Sequence, residues 1–250
     1  MDRKQWLRKW VPQVGLANMQ NRDAWVQATL ASLPEGARLL DAGAGPQNYR
    51  KFCANLDYVS QDFAKYDGKG DGSGLHTQVF DYGELDIISD ITAIPEPDAS
   101  FDAIMCIEVF EHLPDPLAAL KELARLLKPG GTMVLSAPFC SLTHFAPYHF
   151  SSGLNRYWYS KHLQALGFTE ISITPNGNYF EFVAQEIYRI RSVASHYVGR
   201  KPNVFQLFCI YVLQRMLLRY SKRDRGSSEL LCYGFHVLAK KPLSVAPPTA

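Results

Sequence analysis

From Ala37 onward the chain alternates short apolar runs with amphipathic stretches. Leu39-Leu40, the run Phe101 to Ile107, Thr132 to Ala137, and Phe168 to Thr174 are brief, rich in apolar residues and bounded by turn signals, the pattern of buried strands. Tyr58–Gln61, Asp86–Ser89 and Gly234–Lys240 complete a set of seven predicted strands. Between Pro116 and Leu127, leucines at 117, 120, 123, 126 and 127 recur with helical spacing, and Lys128-Pro129-Gly130-Gly131 stops the helix. Further helices are predicted over Gln47–Ala54 and Ser160–Leu166, the latter closed by Gly167. Strands alternating with helices predict an α/β fold built on a doubly wound parallel sheet.

Four segments stand outside that alternation. Residues 1–33 read as an N-terminal helical segment, with Trp6, Leu7, Trp10, Trp25, Val26 and Leu30 as packing positions. Residues 66–78 are glycine-rich and are expected to form a mobile loop. Residues 178–229 form a helical insertion before the last strand, and residues 241–250 a loose tail. All belong to one expected domain spanning 1–250, a size that buries a full core.

Composition changes this picture little. Hydrophobic residues make up 47% and charged residues 20%, with a net charge of +2. That charge is too small to argue for a nucleic-acid partner. Five scattered cysteines without a Cys-x-x-Cys pair read as reduced thiols of a cytoplasmic protein. The N-terminus leads into no apolar core, so no signal peptide is expected. The basic charge is unevenly placed: from Arg189 to Arg225, arginines and lysines outnumber acids.

The chemistry centres on Arg38-Leu-Leu-Asp41-Ala-Gly43-Ala-Gly45-Pro46. An apolar strand ending in an acid and two glycines brings backbone close to a ligand at the carboxyl edge of a parallel sheet. A dinucleotide site would carry a third glycine where Asn48 stands, and Asp41 would repel its pyrophosphate. That excludes a nicotinamide oxidoreductase. An acid here suits a cationic ligand, and S-adenosylmethionine (SAM), with its ammonium and sulfonium, is one. Asp62, 21 positions after Asp41 at the end of the second strand, is placed to accept the ribose hydroxyls of such a ligand. Asp90-Ile91, closing the third strand, fits an acid for the adenine amino group beside an apolar face; a turn after a strand explains Asp90 equally well.

Together, Leu-Leu-Asp-Ala-Gly-Ala-Gly, Asp90-Ile91, the run Ser100 to Leu113 with its Cys106-Ile107-Glu108-Val109-Phe110-Glu111-His112, and Leu127-Lys-Pro-Gly-Gly131 resemble class I SAM-dependent methyltransferases, in particular the type 11 small-molecule group. The resemblance covers roughly residues 30–175 and extends to Gly234–Lys240 as the family's last strand. It implies a doubly wound, seven-stranded, mostly parallel sheet of the Rossmann-like methyltransferase fold with an antiparallel final strand, and backbone around Gly43, Cys106 and Ile107 holding the methionine end of SAM. Pro46 and a longer loop between Asp62 and Asp90 depart from the family pattern.

Acceptor contacts are expected from residues 138–159, which leave the ligand edge after the fifth strand. His144 and His149 can deprotonate a hydroxyl near neutral pH, and His112 is a further candidate base. Phe145, Tyr148, Phe150 and Trp158 can exclude water, and Arg156 can orient an anion. Glu108, Glu111, His112 and Asp115 invite a metal, but their spacing matches no zinc helix motif, so none is expected. The reading is therefore methyl transfer from SAM to a small-molecule, lipid-linked or sugar-linked acceptor, on oxygen. A SAM-binding partner subunit without turnover is the alternative. Within the insertion, Val204–Tyr220 reads as a helix apolar around most of its circumference with basic residues at its end. It forms either a cap over the acceptor pocket or, through residues 204–225, a peripheral membrane contact.

Overall fold

A computed structural model describes residues 12–72 and 74–243; Trp6, Leu7, Trp10 and most of the tail lie outside them. The chain forms two compact units. One comprises residues 23–174 with the segment from Gly234 onward, and the other comprises the N-terminal residues to Arg22 with residues 175–233.

The larger unit is built on a seven-stranded sheet. Its strands are β1 (Arg38–Ala42), β2 (Asp57–Asp62), β3 (Ile87–Ile88), β4 (Phe101–Ile107), β5 (Leu127–Pro138), β6 (Thr169–Asn176) and β7 (Gly234–Lys240), in the order β3-β2-β1-β4-β5-β7-β6. β1 runs parallel to β2 and β4, β2 to β3, and β4 to β5. β7 lies antiparallel to β5 from Thr132↔Lys240 to Pro138↔Gly234. The expected sheet, including its antiparallel last strand, is thus present.

The helices are α1 (Asn18–Ala31), α2 (Pro116–Leu126), α3 (Arg156–Ala165), α4 (Tyr179–Tyr197) and α5 (Val204–Ser221). Helix α2 starts where Asp115 Oδ1 accepts the Ala118 amide at 2.9 Å, with Pro116 in its first turn. Leu120, Leu123 and Leu126 are fully buried, each contributing about 1.5–3 kcal/mol of apolar burial. Val26 and Leu30 of α1 join Leu39, Ala103, Met105 and Val134 in the core against the central strands.

The helix predicted over Gln47–Ala54 is absent. Gly43, Gly45 and Gln47 all have positive φ (+76°, +49° and +54°), which right-handed helix cannot accommodate. Only a 3-10 turn at Arg50–Phe52 follows. The side-chain amide of Gln47 is instead spent on the carbonyls of Tyr82 and Glu84, at 2.7 and 2.8 Å. The third strand shrinks from four expected residues to two, and α3 begins four residues earlier, at Arg156, because Asn155 Oδ1 caps Tyr157 and Trp158.

In the smaller unit, α4 and α5 each start with a reciprocal capping box, Asn178 with Glu181 and Asn203 with Gln206. Val14, Ala184 and Leu217 form its buried centre, with Phe180, Val183, Ile187 and Leu218 packed around them. Gln214 crosses between the helices and donates to the Ala184 carbonyl at 2.8 Å. A Cβ at Gly15 would lie 2.5 Å from the Gln185 backbone nitrogen, so this close approach requires glycine. The start of α5 is different: Val204, Phe205 and Phe208 are 85%, 73% and 61% exposed.

Candidate active site

The carboxyl ends of β1, β2 and β4 surround a cavity of about 510 Å³ in the larger unit. Its floor is the turn after β1. The amides of Gly43 and Ala44 donate to the Gln61 carbonyl at 2.8 and 2.9 Å, and the Gly45 amide donates to Asp62 Oδ2 at 2.9 Å. A Cβ on Gly43 would stand 2.6 Å from Val109 Cγ2, so the turn is closed to any side chain. Asp62 also accepts the Ala64 amide through Oδ1 at 3.0 Å. Burial raises its pKa, opposed by these backbone donors.

Of the residues singled out in the sequence, Gly43, Gly45, Asp62, Asp90, Ile91 and His112 line the cavity. Asp90 accepts both the amide and the hydroxyl of Thr92, at 2.9 and 2.8 Å, and these bonds hold its pKa low. Asp41, Cys106 and Ile107 are buried and are not part of the lining. Asp41 accepts the Tyr58 hydroxyl at 2.7 Å. Burial first, and the Asp62 charge after it, push its pKa up to about 7, while the Tyr58 bond works the other way. The same environment pushes the Cys106 thiol well above its usual range.

The remaining walls are aromatic. Phe145, Tyr148 and Phe150 come from the loop after β5, as anticipated for that loop. Trp158 does not reach the cavity lining; on α3 it packs edge-on to Phe110, 5.7 Å between centroids. Phe63, Tyr66, Phe80 and Tyr82 were not anticipated. They lie at the start of the glycine-rich segment and on either side of it, and an aromatic-rich stretch around the glycines is their one signal in the sequence. That segment is stitched to the loop after β5: Leu75 N donates to the Thr143 carbonyl at 3.1 Å, and Phe145 N donates to the Leu75 carbonyl at 3.0 Å. Tyr66 then stacks on Phe145 at 4.6 Å, and its hydroxyl meets His76 Nδ1 at 2.8 Å.

His144 and His149 stand beside His112 rather than in the lining itself, with ring centroids 4.6 Å (112–144) and 4.8 Å (144–149) apart. Burial, with the neighbouring His144 next, drives the His112 pKa down to about 4, and burial also lowers that of His149. Both shifts favour the neutral imidazole and make each ring a weaker base than an ordinary histidine. Glu108 lines the cavity with φ +56° and accepts the Ser136 hydroxyl at 2.8 Å. A left-handed glutamate at the end of β4 is the kind of backbone strain that collects at functional sites.

Comparison with known proteins agrees with this geometry. The profile of a family described as a methyltransferase domain matches residues 16–172. A ubiquinone biosynthesis O-methyltransferase from Xanthomonas campestris pv. campestris is 40% identical over 116 residues, 44% of this chain and 46% of that protein. The chain thus aligns with about half the length of the curated relatives it matches. Among solved structures, a SAM-dependent methyltransferase from Archaeoglobus fulgidus superposes with a TM-score of 0.53 at 17% identity, covering 90% of this chain and 98% of that one. Phosphoethanolamine N-methyltransferase 2 from Haemonchus contortus, in complex with SAM, gives 0.52 at 16% identity over 90% and 53%. These two establish the likeness of fold. The chain belongs to the class I SAM-dependent methyltransferases.

Proposed function

We propose that this protein transfers a methyl group from SAM to an oxygen of a small-molecule acceptor. The observation that carries the reading is a cavity with a glycine floor, a buried acid at the end of β2 and three histidines at its edge. The likeness to an O-methyltransferase of ubiquinone biosynthesis supports oxygen as the accepting atom. Residues present fit SAM: Gly43 keeps a turn packed too closely on Val109 for any side chain, so that bare backbone faces the cavity, and Asp62 keeps acceptor capacity beyond its two amide bonds. Gly43, Gly45, Asp62, Asp90 and Ile91 would hold the cofactor. Asp41, buried behind the lining and bonded to Tyr58, would act by holding the end of β1, and Cys106 and Ile107 through the backbone of β4. When bound, SAM supplies an activated sulfonium methyl.

The rest falls to the chain's own groups. Phe145, Tyr148, Phe80 and Tyr82 exclude water and orient the acceptor, which is where most acceleration in methyl transfer arises. His149 or His144 takes the acceptor's proton, with His112 as the third candidate. Replacing His144 or His149 by alanine should lower kcat about 10²-fold or more while leaving SAM affinity unchanged. Parallel loss of SAM affinity would assign the histidines to packing instead.

The deciding experiment pairs thermal shift with product detection. SAM but not NAD should raise the Tm, and a hydroxylated acceptor should yield S-adenosylhomocysteine. Stabilisation by SAM with no turnover across a broad acceptor panel would favour the non-catalytic partner subunit.

A finer reading concerns where the acceptor resides. No helix among the described residues is long and apolar enough to cross a membrane. Yet Val204, Phe205 and Phe208 are exposed at the start of α5, and Arg215, Arg219, Lys222, Arg223 and Arg225 follow. Apolar side chains at one end of α5 and cations toward and beyond its other end suit a cytoplasmic protein that lays this helix along anionic lipid and draws a lipid-linked acceptor from it. Co-sedimentation with phosphatidylglycerol-containing vesicles at low salt should capture the protein, and Phe205→Glu/Phe208→Glu should release it. Failure of the wild type to sediment at low and at moderate salt would remove the membrane contact.

A further inference from the structure

Fold, not sequence spacing, brings three imidazoles together. His112 follows β4, whereas His144 and His149 lie in the loop after β5, and one ring nitrogen from each falls within 4.8 Å of the others. The glutamate–histidine spacing around His112 matches no metal motif because two of the three groups are more than 30 residues away.

We propose that His112, His144 and His149 form a binding site for a divalent transition-metal ion of the zinc class. Three observations carry it. His112 Nδ1 donates to the Tyr148 carbonyl at 2.5 Å, and His144 Nδ1 donates to the Leu142 carbonyl at 2.8 Å. A carbonyl only accepts, so both rings hold their proton on Nδ1 and present Nε2 as a lone pair, the tautomer that backbone carbonyls fix in metal-ligating histidines. Both Nε2 atoms then face one carboxylate oxygen, Glu111 Oε1, at 3.7 and 3.8 Å. Tetrahedral ligands about 2.0–2.1 Å from zinc stand about 3.3 Å apart, so small rotations close the set. Finally, the Nδ1 of His149 is buried without a hydrogen-bond partner among the described residues.

The cluster is also held in place. The Glu111 carbonyl accepts the amides of Phe150 and Ser151 at 2.9 and 3.2 Å, tying the histidine-bearing loop to the turn that carries His112. Neutral nitrogen ligands beside a buried carboxylate select zinc-like ions over magnesium, which prefers oxygen. Because His112 lines the cavity, the ion sits at its edge. Resting on the methyl-transfer reading, the consequence is that with metal bound the three histidines would serve as ligands in place of the base, and an acceptor hydroxyl ligated there would give its proton to water more readily, as metal-bound water does. Its oxygen then forms the bond to carbon as the sulfonium–methyl bond breaks, and S-adenosylhomocysteine leaves.

The test is calorimetric titration of zinc chloride into the EDTA-dialysed full chain carrying Cys140→Ser and Cys209→Ser, the two exposed thiols. One equivalent should bind, and magnesium chloride should give no heat. His144→Ala and His149→Ala should each weaken zinc at least tenfold while the SAM-induced thermal shift persists. Cobalt(II) should show tetrahedral d–d absorption without a thiolate charge-transfer band. No zinc binding, binding unchanged in the His144→Ala/His149→Ala double variant, or a thiolate band overturns the site. Zinc binding without any SAM-induced shift keeps the metal site and instead defeats the methyltransferase reading.

Discussion

Asp41→Asn is expected to change how stability depends on pH more than any other single substitution. The buried carboxyl of Asp41 titrates at about 7 in the folded protein, raised chiefly by burial, against 3.8 in the unfolded chain. A raised pKa means that the folded state holds the proton more tightly. The resulting stabilisation is fully present below pH 3.8 and is lost as pH rises through about 7. The difference between those pKa values corresponds to roughly 4 kcal/mol at pH 8. Asparagine keeps an acceptor for Tyr58 but has no proton to lose. Urea unfolding of ligand-free protein at pH 4.5 and pH 8.5 should therefore show the variant gaining on the wild type by a few kcal/mol between the two. Asn Nδ2 adds a buried donor that costs about 1–3 kcal/mol at both pH values, so the informative quantity is the change with pH. A difference between variant and wild type that is flat with pH would mean that Asp41 remains charged throughout.

The second large effect belongs to Asp62→Ala. This residue does two jobs: it joins the turn after β1 to β2 through the Gly45 amide, and it faces the cavity. Alanine should weaken SAM by about 1–3 kcal/mol, or roughly 5- to 150-fold in Kd, measured by calorimetry. Asp62→Asn retains an acceptor and should fall between the two. Wild-type affinity in both variants would show that the ribose end of the cofactor is held elsewhere.

Much of the fold could be read from the sequence because its signals are local. Phe101–Ile107 and Gly234–Lys240 are short apolar runs between turn residues, and both ends of each strand agree with the structure. Helix α2 announced itself through its leucine spacing and its Pro-Gly-Gly stop. The helix expected after the glycine turn failed because φ at Gln47 is set by its amide's bonds to Tyr82 and Glu84, residues 35 or more positions away. The site divides the same way. Gly43, Gly45 and Asp62 carry a motif, whereas the Tyr66–Phe145 stack and the three-histidine cluster exist only after distant loops meet. An aromatic-rich stretch on either side of the glycines, Phe63 and Tyr66 before and Phe80 and Tyr82 after, was the one signal of the missing wall.

The position of β7 has a consequence for biosynthesis. It is the last strand in sequence but lies between β5 and β6 in the sheet. On a ribosome, β1 to β5 can pair as they emerge, since each finds its neighbour among strands already made. β6 cannot: its neighbour in the sheet is β7, which lies more than fifty residues further along the chain and must leave the exit tunnel first. Closing so distant a pair is slow compared with local pairing, and an unpaired strand edge is exposed meanwhile. The nascent chain therefore carries an open flank on β5 through the synthesis of the whole helical segment. Chaperone dependence during expression should concentrate in that interval.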